Sequence, residues 1–384
     1  MRIEPFTIDV DDAVLRDLRE RIVRTRWPVN VAVAGWECGT DPTYLRALLD
    51  SWAHDFDWRR VERKLNRLSH YRADVDGLAI HFVHERGRGP APLPIVLTHG
   101  FPSSFVEHLD LVPLLTDPAR HGGSADDAFD VVVTSLPGYG FSGAPAGPLL
   151  EAEVADMWHA LMTDGLGYAR FGAHGSDVGT GATIGLGRRH PDDVVGIHLS
   201  AFYLEPPPEP RPAAVDEFLE RQREERSEDV AYSRLQSTRP ATVAYGLNDS
   251  PAGLAAWIVD LFRAFSDCGG DVESRFTREQ LLTNLTIYWV TGTIASAMRP
   301  YYDYAHFEDA SETRTRVDVP SGFAVFTDSW RPGTARPPRE IAEHDFNVTR
   351  WTYMPRGGHY AALEEPELLA REIRAFFRPL RGGG

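Results

Sequence analysis

Residues 175–179 read Gly-Ser-Asp-Val-Gly, within the stretch FGAHGSDVGTGA that carries glycines at 172, 175, 179 and 181. The form is small–x–nucleophile–x–small. A central side chain stands on a strained strand-to-helix turn, and the residues two away must be small for the backbones to pass. The central residue here is a carboxylate, Asp177, where a serine could stand; Ser176 is one step early and should point elsewhere. A carboxylate so placed sits beside a helix N-terminus, which stabilises an anion, and it can form an ester with an electrophilic carbon. A plain turn would also explain the glycines, but two further stretches argue for chemistry. His99-Gly100-Phe101-Pro102 closes the apolar run PIVLTHG, and that loop can aim the Phe101 amide at the same point as the Val178 amide, giving two donors for an oxyanion. MPRGGHYAALEEP places His359 in a glycine-rich turn near the C-terminus, where it can serve as the missing base. Asp328, at the end of GFAVFTD, is the candidate to orient that histidine.

These side chains need a frame, and the hydrophobic pattern supplies one. HYRADVDGLAIHFVHE alternates around Asp76-Gly77, a strong local hairpin signal. PIVLTHG, FDVVVTSLPGYGFS, ARFGAHG and VVGIHLS read as short buried strands, with helical stretches at 155–168 and 180–191 between them. Buried strands alternating with helices predict an α/β fold, a mostly parallel sheet with helices on both faces. The rhythm breaks at FYLEPPPEPRPAAVDEF, a proline-rich linker, and becomes helical to about residue 300. One helix there starts at Ser250-Pro251 and another, TREQLLTNLTIYWVTGTIASAM, opens with Thr277 and Gln280 in capping-box spacing. Strands resume at RVDVPSGFAVFTD and NVTRWTYMP, and a helix closes the chain. The first 69 residues are amphipathic helix, with Trp27, Trp36, Trp52 and Trp58. The expected organisation is a leader over 1–69 packed on the core, the first part of the core over 70–205, an inserted helical cap over 206–304, and the second part of the core over 305–384. The carboxylate, acid and histidine then fall in the order Asp177, Asp328, His359, the chain order of α/β-hydrolases.

Composition limits the partners. The formal charge is −16, from 56 acidic and 40 basic residues, which disfavours nucleic acid and anionic membrane and suits a small-molecule partner. Cys38 and Cys268 lie far apart with no CxxC spacing, so free buried thiols in a reducing cytoplasm are expected. The polar N-terminus lacks the pattern of a secretory signal, and no apolar run is long enough for a membrane helix. The expectation is a soluble cytoplasmic protein; a homodimer stays open. No dinucleotide or phosphate-loop motif is present.

The sequence as a whole resembles the epoxide hydrolases of the microsomal and juvenile-hormone type, members of the α/β-hydrolase fold whose N-terminal segment forms a meander around core and cap. The resemblance runs through FDWRRVERKLNRLSHYRADVDGLAIHFVH, HGFPSSF, GSDVG, LQSTRPATVAYGLNDSPAGLAAWI, LLTNLTIYWVTGTIASAMRPYY and RGGHYAALEEPELL, in order and over nearly the whole chain. It implies two cap tyrosines that hold the epoxide oxygen, by position Tyr232 and Tyr301. Tyr302 is the main rival for the second place, and Tyr245 and Tyr288 are others. The family acid stands one residue later than Asp328, where this chain has Ser329; Glu308, Asp309, Glu340 and Glu343 are fallbacks. The implied chemistry is attack of Asp177 on an epoxide carbon, then hydrolysis of the ester by water activated by His359, giving a vicinal diol. It needs no cofactor and no metal; its partners are a small epoxide and water. Aromatic residues in the cap and at Phe101 suggest an apolar, aryl-bearing epoxide, for detoxification or for secondary metabolism such as antibiotic biosynthesis. A haloalkane dehalogenase would use the same ester logic with halide-holding donors. A non-catalytic small-molecule binder on the same scaffold is the reading from another class, and an esterase using Ser176 is the least supported.

Overall fold

The computed structural model of the chain describes residues 1–29, 35–225, 231–307, 315–326 and 336–382. Its frame is a nine-stranded sheet of order β1-β2-β3-β5-β4-β6-β7-β8-β9. The strands are β1 (Ile3–Pro5), β2 (His70–Val75), β3 (Leu78–Glu85), β4 (Leu93–Thr98), β5 (Phe129–Thr134), β6 (Phe171–Ser176), β7 (Val194–Ser200), β8 (Val317–Val325) and β9 (Phe346–Tyr353). The pairs β1–β2, β2–β3 and β3–β5 are antiparallel and the rest are parallel.

Residue type explains the layering. In β4, Ile95 and Leu97 join one apolar cluster and Val96 the other, because successive side chains leave a strand on opposite faces. Both faces are therefore covered, as the apolar strands require. The hairpin at Asp76-Gly77 forms with both residues at positive φ (52° and 80°), the conformation that Asp-Gly supplies between twisted strands.

Two elements differ from the sequence reading. The leader is not only helical. After Ile3–Pro5 pairs with β2 at the sheet edge, it forms helices Asp12–Val23, Pro42–His54 and Trp58–Leu65. The apolar stretch beginning at Thr277 is two helices, Arg278–Thr291 and Ile294–Phe307, parted at Gly292 with φ 64°. A left-handed glycine ends a helix whatever the hydrophobicity around it. The capping box of Thr277 and Gln280 and the Ser250 cap are both formed. Cys268 is buried and Cys38, against expectation, is exposed; neither is in a disulfide. Among the described residues no helix is long and apolar enough to cross a membrane.

Candidate active site

β6 ends at Ser176 and a helix starts at Val178, so Asp177 occupies the corner alone. Its backbone is at φ 50° and ψ −124°, a region an L residue enters only when its surroundings hold it there. The Asp177 amide donates to Ala201 O at 3.1 Å, and its carbonyl accepts from Thr180 N at 2.9 Å and Thr180 Oγ1 at 2.6 Å. The flanking glycines are steric necessities. A Cβ on Gly175 would lie 2.3 Å from Gly179 O, and one on Gly179 would lie 2.2 Å from Thr98 O.

The Asp177 carboxylate is buried between two partners. Oδ1 accepts from the Phe101 amide at 2.8 Å, and Oδ2 lies 3.4 Å from His359 Nε2. The Val178 amide is the first of the elbow helix, one of the donors with no carbonyl of its own turn. The loop bearing Phe101 is itself fixed. His99 accepts from Leu136 N at 3.2 Å through Nε2, so its Nδ1 carries the proton and donates to Gly100 O at 3.1 Å. Burial pushes the His99 imidazole down to about 4, so it stays neutral and shapes the loop. From the other side, Asn284 Nδ2 donates to Pro102 O at 2.8 Å and Tyr288 donates to Ser103 O at 2.9 Å.

His359 sits in a turn stapled to the end of helix Pro251–Phe265. Its amide donates to Phe265 O at 2.9 Å, and the Gly357 amide donates to Asp267 Oδ2 at 3.0 Å. A Cβ on Gly358 would lie 2.7 Å from Asp267 N and Phe265 O, which is why this turn needs glycine. Beneath it, the buried Glu364 accepts from Asp267 N at 2.8 Å, Gly358 N at 3.0 Å and Tyr360 N at 3.0 Å. Burial still pushes this carboxyl up to about 7.

Opposite the carboxylate, the rings of Tyr232 and Tyr301 lie 6.0 Å apart at 72°, and their hydroxyls hydrogen-bond to each other. Tyr301 also packs edge-on against Phe101, 5.7 Å away. Burial, and next the Asp177 charge, hold both phenols well above the usual tyrosine range. The rivals lie elsewhere. Tyr302 stacks on His306 at 4.0 Å, Tyr245 is exposed, and Tyr288 serves the Phe101 loop. Asp328, Glu308 and Asp309 lie outside the described residues. Glu340 and Glu343 are on the surface, the latter paired with Arg339, so neither faces the buried His359.

Sequence reasoning missed Glu107, Asp267, Asn284 and Glu364. Each is polar yet largely buried or engaged inside the fold, and only the fold reveals that. Glu364 alone had a signal, its position five residues after His359, at the end of the short helix Ala361–Glu364 that follows the glycine-rich turn. Among the described residues no group of three or more His, Cys, Asp or Glu is placed to hold a metal ion.

Comparison with known proteins gives the family. Residues 3–108 match the family described as epoxide hydrolase N terminus. A protein of Stigmatella aurantiaca, provisionally named an epoxide hydrolase, is 41% identical over 99% of this chain and 86% of its own. Epoxide hydrolase 1 of Oryctolagus cuniculus is 34% identical over 97% of this chain and 88% of its own. The crystal structure of juvenile hormone epoxide hydrolase from Bombyx mori superposes with a TM-score of 0.83 at 28% identity, covering 99% of this chain and 94% of that one. The chain, with its interrupted mostly parallel sheet and its carboxylate at the elbow, belongs to the epoxide hydrolases of the microsomal and juvenile-hormone type, hydrolases of the α/β-hydrolase fold.

Proposed function

We propose that the protein opens an apolar epoxide to a vicinal diol through an ester on Asp177. The observation that carries this reading is the Asp177 carboxylate held between the Phe101 amide and the His359 imidazole, facing the Tyr232–Tyr301 phenol pair. In the first step an Asp177 oxygen bonds to an epoxide carbon, the ring C–O bond breaks, and the freed oxygen takes a phenol proton. The phenols are protonated at neutral pH because burial and Asp177 raise their pKa values. As the ester forms, the charge on Asp177 disappears and part of that upward shift goes with it, so the donor strengthens as the bond is made. In the second step His359 takes one proton from water and the resulting hydroxide attacks the ester carbonyl. The Phe101 and Val178 amides hold the tetrahedral oxyanion. Collapse expels the diol oxygen, which takes the hydroxyl proton, and the imidazolium returns its proton to the phenolate. Water and epoxide are consumed, and the enzyme is restored.

The apolar substrate class rests on the walls. A small hollow beside Val178 mixes Leu136, Leu149 and Val154 with Arg299 and Asp303, so the apolar character comes from Phe101, Phe265 and the tyrosine pair around the carboxylate. An aryl group fits such surfaces by edge-on packing. A scavenger of many epoxides and an enzyme of one biosynthetic route would both use this chemistry. A dehalogenase reading has less support, since paired phenols suit a basic alkoxide that needs a proton, whereas a halide needs none. The test is His359→Gln with styrene oxide. Ring opening should continue and hydrolysis stop, so mass spectrometry should find the substrate mass on the peptide containing Asp177. An unmodified peptide with turnover retained would refute the scheme.

A further inference from the structure

Behind the elbow, on the side away from the phenols, lies a second buried carboxylate. Glu107 belongs to the short turn of helix Phe105–His108 that follows the Phe101 loop. It is 3% exposed. Ser176, the residue the elbow turns away from the cavity, donates its hydroxyl to Glu107 Oε1 at 3.0 Å, and the Ser103 hydroxyl is a second donor. Its turn packs against Ala361–Glu364, the segment that follows His359. A buried carboxylate is costly unless it is paired, and among the described residues no Arg or Lys forms an ion pair with this one. His108 approaches only to 4.0 Å; burial, together with His174 and His99, keeps it neutral. The other groups facing Glu107 are the Tyr288 and Tyr360 phenols, Asp177 and His359. Of these, only His359 gains a positive charge in the proposed reaction, when it takes the proton from water in the hydrolytic half.

The geometry points to Glu107 as a second acid for His359, a positioning residue that stabilises the imidazolium formed when water is deprotonated and that takes no part in ring opening. This rests on the two-step reading above. Ser176 then has a role despite its place off the apex: its hydroxyl favours the ionised form of Glu107. Burial pushes the Glu107 carboxyl up to about 7, while His359 pulls it back down. The two groups therefore share a field, and each favours the charged form of the other.

The experiment is rapid-quench measurement of ester formation and decay with styrene oxide, in the full chain, for wild type, Glu107→Gln and Ser176→Ala. In Glu107→Gln, formation should stay within about twofold of wild type while decay slows about tenfold or more, so ester accumulates. The acid limb of the decay profile should also move to lower pH, because the imidazolium has lost its anionic neighbour. Ser176→Ala removes only a hydroxyl and should slow decay in the same direction by less; it carries the test if Glu107→Gln does not fold. Equal losses in both steps would mean a merely structural role and overturn the inference, as would unchanged decay with an unmoved pH limb. Failure of the underlying reading looks different: no ester forms in wild type or in His359→Gln, and both proposals fall together.

Discussion

A methyl group at position 100 should disable the site by crowding the nucleophile, with every reacting group still present. A Cβ built on Gly100 lies 2.3 Å from Asp177 Oδ1, 2.4 Å from its Cβ and 2.7 Å from its Cγ. Ordinary contact requires about 3.4 Å or more, so loop and carboxylate must part by roughly 1 Å. Asp177 has little freedom to retreat, because its strained corner is held by Ala201 and Thr180. The loop must move instead, and the 2.8 Å bond from the Phe101 amide opens. A misplacement of about 1 Å costs on the order of 10²-fold, and loss of one oxyanion donor about 10²–10³-fold. The two effects share one cause, so Gly100→Ala should lose about 10²–10³-fold in ester hydrolysis, the step in which the oxyanion forms, with overpacking costing about 1–3 kcal/mol of stability. Gly147→Ala is the control, since its Cβ would meet nothing within 4 Å. Single-turnover ester decay and urea denaturation read both effects. Wild-type ester decay in Gly100→Ala would show that the Phe101 amide does not hold the oxyanion from the observed position.

Tyr232→Phe and Tyr301→Phe should each slow ester formation about 10²-fold, with the double variant short of the product because the hydroxyls share one oxygen; Tyr302→Phe, stacked on His306, should match wild type in the same burst assay. Glu364→Ala strips the acceptor from two buried amides and one part-buried amide and should cost about 2–3 kcal/mol or more in urea denaturation. Glu107, whose folded pKa of about 7 lies above its usual 4.5, contributes stability that is complete below about pH 4.5 and lost as pH rises through about 7. Relative to Glu107→Gln, wild type should therefore fall by up to about 3 kcal/mol over that window and then level off, and a flat difference from pH 4.5 to 8 would contradict the burial argument. In hydrogen exchange, the amides of Phe101 and His359 should exchange more slowly than those of helix Ala231–Thr238; equal rates would mean that the helices over the site lift as one body.

What the sequence made legible was local. The glycines at 175 and 179 announce a corner because only a close approach of backbones demands them, and Asp76-Gly77 announces a hairpin because those residues accept positive φ. Edge strand Ile3–Pro5 has no such mark. Three residues carry no periodicity, and their pairing is decided by β2, nearly seventy residues away. The break at Gly292 was hidden inside an apolar run, where hydrophobicity outweighed the one residue that mattered. Tyr301 and Tyr302 differ by about 100° around a helix, a distinction that needs the phase of the whole helix and not its composition. Glu107 and Glu364 look like surface residues until the elements that bury them are assembled.

The helical segment between β7 and β8 does more than cover the sheet. Its helix Arg278–Thr291 holds the Phe101 loop through Asn284 and Tyr288, and the end of helix Pro251–Phe265 holds the His359 turn through Phe265 and Asp267. Trp52 of the leader donates to Thr286 at 2.9 Å and fastens Arg278–Thr291 from outside. Each of these bonds contributes about 1 kcal/mol when made, and more is lost when a buried partner is left unsatisfied. Lifting those two helices would therefore unseat the oxyanion donor and the base together. Tyr232 belongs instead to helix Ala231–Thr238, in which Gln236 is the buried residue. Motion confined to that helix would open the phenol side and leave the Phe101 amide, Asp177 and His359 in register. One phenol is thus mounted apart from the hydrolytic machinery while the other, Tyr301 of helix Ile294–Phe307, stays packed on Phe101, so Tyr232 can move to admit and release substrate while the rest keeps its geometry from ring opening through hydrolysis.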